Sequence, residues 1–304
     1  MRKEFFYPSC GEGNIRALCW EPAGEVKAVV QIVHGIAEHV ERYDHFASFL
    51  ADHGIAVVAE DHMGHGKSID GGSTKGYFTG GWFAAVDDTY KLLQDTMALH
   101  PNVPYILLGH SMGSFMARTI LAKYPNSGIA GAVISGTAWM PGGVIGAGLT
   151  VGKLVCKLQD EKQPNTTLHG MMFSGNNKRV EHQRTPSDWL SRDNDIVDAY
   201  EADPLCGFVV SAGLLRDMLV GLQYIQNGKN LPNMKKDLPV LFIAGGDDPV
   251  GGYGAGVRQA AEEFVKVGME HVTTKIYPLC RHEVLNEINK EEAYTYILDW
   301  VNNI

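Results

Sequence analysis

A serine between two glycines, in the run GHSMG at residues 109–113, is the part of this chain best suited to nucleophilic chemistry. The pattern G-x-S-x-G is typical of a sharp turn from a strand into a helix, because glycines let the backbone turn tightly and expose the hydroxyl. The apolar run Tyr105–Leu108 precedes the turn, and apolar residues recur every three to four positions from Met112 onward. A glycine turn without chemistry is the alternative, but this context favours Ser111 as a nucleophile.

A serine hydroxyl attacks well only when a base takes its proton, so a histidine and an orienting carboxylate are needed. Asp248 follows the apolar run Val240–Ala244, and His282 follows the run Thr273–Tyr277. The carboxyl ends of parallel strands gather at one edge of a sheet, which would bring both side chains to the serine. Asp247 is a rival acid, and spacing alone leaves the two aspartates open.

Acyl transfer creates a negative oxygen that must meet N–H donors already in place. The N–H that follows the nucleophile, that of Met112, is the first candidate. The loop after the apolar run Ala28–Val33 would supply the second from Ile36, with Gly35 permitting a close approach.

Short apolar runs alternate with helical periodicity, which indicates an α/β fold with a mostly parallel central sheet and helices on both faces. The predicted strands are Ala28–Val33, Ala56–Ala59, Tyr105–Leu108, Ile129–Ile134, Val240–Ala244 and Thr273–Tyr277. The alternation stops in the middle of the chain, where glycine, asparagine and methionine are frequent. We predict a core of residues 1–136 and 237–304, and an inserted, mainly helical cap at residues 137–236.

Together the motifs resemble the monoacylglycerol lipase and lysophospholipase branch of the α/β-hydrolases, which are hydrolases of the serine aminopeptidase S33 type. The matching segments are HGIAEH at 34–39, Arg42-Tyr43, DHMGHGKS at 61–68, the run 109–113, Asp248 and His282. The resemblance implies the α/β-hydrolase fold and a triad of Ser111, Asp248 and His282, the acid being the third residue after Gly245. It implies Ile36 and Met112 as oxyanion donors, supported by Gly35, Glu38, His39, Arg42, Gly109, His110 and Gly113. Met63 departs from the arginine that the family often has.

The resemblance also implies a serine carboxylester hydrolase that acts on monoacylglycerol, lysophospholipid or a similar small acyl ester through an acyl-enzyme intermediate. WLSRD at 189–193 and DPLC at 203–206 resemble stretches of the lid in this branch. A serine aminopeptidase would instead need an acidic site for a free amine, with Glu161, Glu181 and Glu201 as candidates. An epoxide or halide hydrolase would need a carboxylate in place of the serine, and a silent binding protein would be expected to lack a triad member.

Composition argues against several other classes. The formal net charge of the 304 residues is −9 and no lysine and arginine cluster occurs, so we predict no nucleic-acid partner. The glycine-rich runs lack the features of nucleotide-binding loops, so we predict no cofactor. The histidines that invite a zinc hypothesis sit in two loops without the spacing of a helical zinc site, so we predict no metal. These histidines are His34, His39, His62 and His65.

Five cysteines, an odd number without close pairs, predict reduced and buried thiols. The segment Trp139–Leu158 is apolar, with Lys153 and Lys157 four residues apart, and has two interpretations: a helix packed over the acyl pocket, or one in transient contact with a membrane surface. No apolar stretch of signal-peptide length is visible, and Thr137–Gly152 is too short to span a bilayer, so we expect a cytoplasmic protein. The pattern makes no prediction of the oligomeric state.

Overall fold

Eight strands form one sheet at the centre of the computed structural model, which describes residues 1–304. They are β1 (Arg2–Pro8), β2 (Asn14–Trp20), β3 (Ala28–Val33), β4 (Ile55–Glu60), β5 (Tyr105–His110), β6 (Gly131–Ser135), β7 (Val240–Gly245) and β8 (Val272–Tyr277). Their order across the sheet is β1-β2-β4-β3-β5-β6-β7-β8. β2 is antiparallel to both β1 and β4, and all other neighbours are parallel.

Nine α-helices accompany the sheet. They are α1 (Asp44–Asp52), α2 (Gly81–Leu99), α3 (Met112–Lys123), α4 (Gly142–Leu158), α5 (Thr166–Phe173), α6 (Asn194–Ala202), α7 (Ala212–Ile225), α8 (Ala255–Lys266) and α9 (Lys290–Asn302). Side chains of α1 and α9 share one hydrophobic cluster, and those of α2, α3, α7 and α8 share another. β3 contributes to both, with Val29 and Val33 in one and Val30 and Ile32 in the other. Helices therefore cover both faces, which confirms the predicted fold class and explains why β3 reads as an unbroken apolar run.

The six predicted strands are present, with ends within a few residues of the predicted ones, whereas β1 and β2 were not predicted. β1 is an edge strand in which only Tyr7 is buried, and its apolar residues, Phe5–Tyr7, form a run too short to predict a strand. In β2 the fully buried Arg16 interrupts the apolar pattern, and its guanidinium pairs with Asp61 at 3.0 Å and Glu4 at 2.8 Å. A buried charge of this kind is stable only when paired, and no periodicity reveals the pairing.

Between β6 and β7 the chain forms α4, α5, α6 and α7 and adds no strand to the sheet. Residues 137–236 are called the insertion below. α7 packs against α2 and α3 of the sheet layer as well as against α4. The division into a core and a cap domain at these limits stays a prediction. No helix of the protein combines the length and apolar character needed to cross a bilayer.

Candidate active site

Ser111 occupies a strained turn between β5 and α3, with φ 53° and ψ −121°. Such a conformation costs a non-glycine residue on the order of 1–3 kcal/mol, and it persists only where neighbours hold it. The Ser111 N–H donates to the carbonyl of Ser135 at 2.9 Å, and its carbonyl accepts the Ser114 N–H at 2.9 Å. The turn therefore fixes Ser111 at the carboxyl edge of the parallel strands, at the start of a helix.

Close backbone contacts explain both glycines of the motif. A Cβ on Gly109 would collide with the Gly113 carbonyl, and a Cβ on Gly113 would collide with the carbonyl oxygens of Val33 and His34. α3 thus begins against the end of β3, directly beside the loop predicted to provide an oxyanion donor.

Asp248 is the acid that contacts the histidine. Its Oδ1 lies 2.9 Å from His282 Nδ1, and the same oxygen accepts the Val250 N–H at 2.9 Å. A carboxylate can only accept, so Nδ1 carries the proton and the neutral ring keeps its lone pair on Nε2. Asp248 is fully buried, whereas Asp247 is exposed. The structure therefore separates the two aspartates that spacing could not distinguish.

The pKa values of the two buried imidazoles at the site, His282 and His110, are shifted in opposite directions. Burial by itself would lower the pKa of His282, but the charge and hydrogen bond of Asp248 raise it above its usual value. The ring of His110 lies 4.7 Å from that of His282, and burial together with this neighbour lowers the pKa of His110 to about 4. His110 is neutral near pH 7, so it packs against the base without competing for its proton.

The nitrogen left to act as a base is His282 Nε2, which is buried and has no hydrogen-bond partner in the protein. The Ser111 side chain does not cap α3. No hydrogen bond joins Ser111 Oγ to Nε2 in this structure, a common situation in enzymes without substrate. Both residues nevertheless line one cavity.

The loop after β3 is held by the carboxylate of Glu38. Its Oε1 accepts the Gly35 N–H at 2.5 Å and the Tyr43 hydroxyl at 3.0 Å. A Cβ on Gly35 would come close to Cβ of Ser111, so the loop touches the serine turn. The Ile36 N–H donates to no acceptor in the protein. Met112 is the first residue of α3, where an N–H has no intrahelical partner, so both predicted donors are available.

Arg42 joins this loop to the segment that carries the base. It donates to Glu38 at 2.7 Å and to both carboxylate oxygens of Glu283 at 2.6 and 2.7 Å. Burial would raise the pKa of Glu283, but Arg42 lowers it to about 2. Because Glu283 follows His282 in the chain, the three charges connect the two loops on which the site depends.

The insertion contacts the His282 segment through main-chain carbonyls of the insertion. The carbonyl of Trp189 accepts the His282 N–H at 3.3 Å, and that of Leu190 accepts the Glu283 N–H at 2.8 Å. Arg281 donates to the carbonyl of Asp188 at 2.6 Å. The base therefore sits on a segment whose main chain is hydrogen-bonded to the insertion.

The insertion contacts the oxyanion loop as well. Ala37 has a positive φ of 53°, and its carbonyl accepts the Tyr200 hydroxyl at 3.1 Å and the Gly207 N–H at 2.9 Å. His39, predicted beside Glu38 and Arg42, instead places Nε2 2.9 Å from Asp203 of the insertion. Sequence reasoning missed these contacts; the only signal was the lid-like appearance of 189–193 and 203–206.

The histidines that raised the zinc hypothesis divide into two places. The rings of His34, His62 and His65 lie together, with His34 and His62 centroids 3.9 Å apart. His34 uses both ring nitrogens, with Nδ1 2.7 Å from the Gly35 carbonyl and Nε2 accepting the His62 N–H. His39 lies apart from them, near Asp203 and Cys206.

All five cysteines are free. Cys206 and Cys280 are buried as expected, whereas Cys10 is exposed, so the expectation of buried thiols is wrong at that position.

A cavity of about 460 Å³ connects these elements. That volume lies within the range of roughly 300–1,000 Å³ usual for small-ligand sites. The core contributes Gly35, Ile36, Ser111 and His282, while the insertion contributes Phe173, Asn177, Gln183, Trp189, Leu190 and Tyr200. The wall opposite the serine is thus part apolar and part polar, and comes from the insertion.

Comparison with known proteins agrees with this architecture. A profile of the family described as serine aminopeptidase, S33, matches residues 24–289. A monoacylglycerol lipase from Mycolicibacterium smegmatis is 31% identical over 307 residues, covering 96% of this chain and 94% of that protein. Monoglyceride lipase of Mus musculus is 29% identical, covering 89% of this chain and 84% of its own.

Among solved structures, a highly thermostable carboxyl esterase from Bacillus coagulans, in complex with glycerol, matches with a TM-score of 0.92 and 30% identity. The match covers 100% of this chain and 98% of the esterase. The chain belongs to the serine aminopeptidase S33 family of α/β-hydrolases, in its monoglyceride lipase-like branch, and is a hydrolase of the lipase and esterase type.

Proposed function

We propose that this protein hydrolyses monoacylglycerol or a similar small acyl ester, with Ser111, His282 and Asp248 as its catalytic triad. The observation that carries the proposal is the buried His282–Asp248 pair, whose unpartnered Nε2 belongs to the same cavity wall as the strained Ser111. Relatives named monoacylglycerol lipase and an esterase solved with glycerol support a glycerol ester as substrate.

In the proposed reaction Ser111 Oγ attacks the ester carbonyl carbon while His282 Nε2 takes the hydroxyl proton. The carbonyl electron pair moves to oxygen, where the N–H groups of Ile36 and Met112 stabilise the charge. His282 then gives its proton to the leaving alcohol, and the acyl group remains on Ser111. Water, deprotonated by His282, attacks this acyl-enzyme, and Ser111 leaves with the proton as the carboxylic acid is released. Asp248 keeps Nδ1 protonated and stabilises the imidazolium.

The mixed lining of the insertion suits an ester with an apolar chain and a polar alcohol. Phe173 and Leu190 offer apolar surface, whereas Asn177 and Gln183 carry amides able to bind hydroxyl groups. The Asn177 amide donates to the carbonyls of Thr185 and Pro186, but its Oδ1 is buried without a partner. A hydroxyl of a glycerol-like head group can donate to this oxygen, whereas the alkyl group of a simple fatty-alcohol ester cannot.

A fluorophosphonate probe combined with a substrate panel tests the proposal. The native protein is expected to label once, and Ser111→Ala to lose both labelling and several orders of magnitude in kcat on esters. Ser174→Ala, which changes another serine of the same cavity, is the matched control and should label normally. Equal labelling of Ser111→Ala would contradict the assignment.

Aminopeptidase activity is the second candidate, because one acidic residue is suitably placed. Among the three glutamates considered, Glu201 lines the cavity, whereas Glu161 is paired with Arg216. A panel of monoacylglycerols, lysophospholipids and aminoacyl amides separates the two functions. We expect ester preference; amide preference that disappears in Glu201→Gln would establish the aminopeptidase instead.

We also propose that α4 meets an anionic lipid surface during catalysis. Val144, Val151, Leu154 and Leu158 are exposed, and Lys153 and Lys157 lie beside them. Apolar residues flanked by cations are typical of helices that lie in a membrane interface.

Sedimentation with vesicles of phosphatidylcholine, with and without phosphatidylserine, tests this contact. Leu154→Glu together with Leu158→Glu should reduce vesicle binding but leave hydrolysis of a soluble ester unchanged. Leu99→Glu, an equally exposed leucine on α2, is the control and should bind as the native protein does. Unchanged binding of the double variant would exclude α4 as the contact.

A further inference from the structure

Three potential metal ligands meet where the insertion touches the oxyanion loop. The ligand atoms of His39, Asp203 and Cys206 all lie within 4.8 Å of one another. The His39 and Cys206 side chains belong to residues only 5% and 7% exposed. Nitrogen, carboxylate oxygen and thiolate sulfur form a donor set that suits Zn²⁺.

One of the three distances between the ligand atoms is close to what a tetrahedral ion requires. Zinc bonds of ~2.0–2.3 Å place neighbouring ligand atoms roughly 3.3–3.6 Å apart. His39 Nε2 and Asp203 Oδ2 are 2.9 Å apart, so they need to separate by only a few tenths of an ångström. The other carboxylate oxygen of Asp203 accepts the Leu205 N–H at 2.8 Å, which holds Oδ2 toward His39.

A carboxylate lies near the outer nitrogen of His39. Nδ1 is buried without a hydrogen bond, and Glu41 Oε2 lies 4.0 Å from it. A metal on Nε2 requires the ring proton on Nδ1, and metal-bound histidines usually donate this proton to a carboxylate. With the proton on Nδ1, a shift of about 1 Å would bring Glu41 within hydrogen-bond distance of a nitrogen that now has no partner.

We propose that His39, Asp203 and Cys206 form a Zn²⁺ site that fastens the insertion to the oxyanion loop, with water from the substrate cavity as fourth ligand. Cys206 itself lines that cavity, so water can reach the ion.

Binding exchanges the Cys206 thiol proton for the ion, forms the Zn–S bond and releases one proton; Asp203 already binds as a carboxylate and His39 as a neutral ring. Because binding releases the thiol proton, affinity should increase with pH. The bound ion should slow ester hydrolysis, because Cys206 lines the substrate cavity and His39 lies on the same loop as Ile36.

Cobalt substitution in the full-length, chelator-treated protein tests the site, because a thiolate ligand to Co²⁺ produces near-ultraviolet charge-transfer absorption. We expect one Co²⁺ per chain with this absorption, displaced by Zn²⁺. Cys206→Ser should abolish the band, and Asp203→Asn should weaken binding more than tenfold. Cys10→Ser, which changes an exposed thiol, should behave as the native protein does.

Fluorophosphonate labelling of the metal-free variants checks that they are folded. A second readout needs no variant: Zn²⁺ should protect Cys206 from iodoacetamide, as located by mass spectrometry. Absence of the band in the native protein, its persistence in Cys206→Ser, or unprotected alkylation of Cys206 at saturating Zn²⁺ would each overturn the proposal.

Discussion

Trp189 contacts His282 twice, through its carbonyl, which accepts the histidine N–H at 3.3 Å, and through its indole, whose centroid lies 5.0 Å from the imidazole. A residue of the insertion thus contacts both the main chain and the ring of the proposed base.

Replacing this indole should affect the chemical step. In Trp189→Ala the carbonyl contact remains but the ring can shift, and displacement of about 1 Å in a reacting group can cost on the order of a hundredfold in rate. We expect kcat on a short ester such as p-nitrophenyl acetate to fall tenfold or more, with Trp189→Phe recovering most of it. Phe173→Ala, which removes a cavity residue that stacks on Trp189, should leave kcat on the short ester near native.

The two neighbouring aspartates provide a matched pair. Asp248→Asn replaces the acceptor of the His282 Nδ1 proton and should lower kcat by roughly 10⁴, since the wrong tautomer then prevails. Asp247→Asn changes an exposed side chain and should leave kcat within twofold of native. Steady-state kinetics on one ester decides between them; equal losses would mean that the acid has been misassigned.

The pH profile reports the proposed base. His282 must be neutral to accept a proton, so kcat/KM should rise with pH through its pKa. Because Asp248 raises that pKa, the rise of kcat/KM should have its midpoint above pH 6.5, the usual pKa of a histidine. In Asp248→Asn the pKa-lowering effect of burial is opposed only by the smaller effects of Glu283 and Glu38, so the rise of the residual activity should move to lower pH. The same midpoint in the native protein and in Asp248→Asn would indicate that another group controls the profile.

Removing Arg42 should destabilise the protein strongly. Arg42→Met leaves Glu38 and Glu283 buried without their cation, and breaking such a pair typically costs about 3–5 kcal/mol. Arg2→Met removes an exposed partner of Asp44 and should cost at most about 1 kcal/mol. Urea unfolding followed by tryptophan fluorescence measures both changes.

The same cluster predicts how stability depends on acid. The pKa of Glu283 falls from 4.5 to about 2 on folding, so its contribution is complete above pH 4.5 and disappears as the pH falls toward 2. Arg42→Met should show a smaller loss of stability across this interval than the native protein. Parallel pH curves for the two proteins would contradict the assigned ion pairs.

The parts of the site that sequence predicted are those encoded over short distances. β3 has the predicted limits, and the glycines of the run 109–113 have a local steric cause. The choice of Asp248 rested on family resemblance, because burial and orientation within a turn are not visible in spacing.

The parts that sequence did not predict depend on contacts between distant segments. His39 and Asp203 are separated by 164 positions, and Arg42 and Glu283 by 241. Neither pair lies within one element, so no helical or strand periodicity relates them. The insertion was the least patterned region, because α5 and α6 are only eight and nine residues long and the chain between them forms no α-helix.

The segment Asp188–Gly207 both lines the cavity and supports the two loops of the site. Mutations in this segment that adapt the cavity to a new substrate would therefore also change the geometry of proton transfer. Their effects on activity should depend strongly on one another. Asn177 lines the cavity but donates its amide hydrogens to the carbonyls of Thr185 and Pro186, away from the catalytic loops. A mutant library intended to widen the substrate range should therefore first vary residues 170–177. Mutations there can change substrate binding and leave the catalytic geometry unchanged.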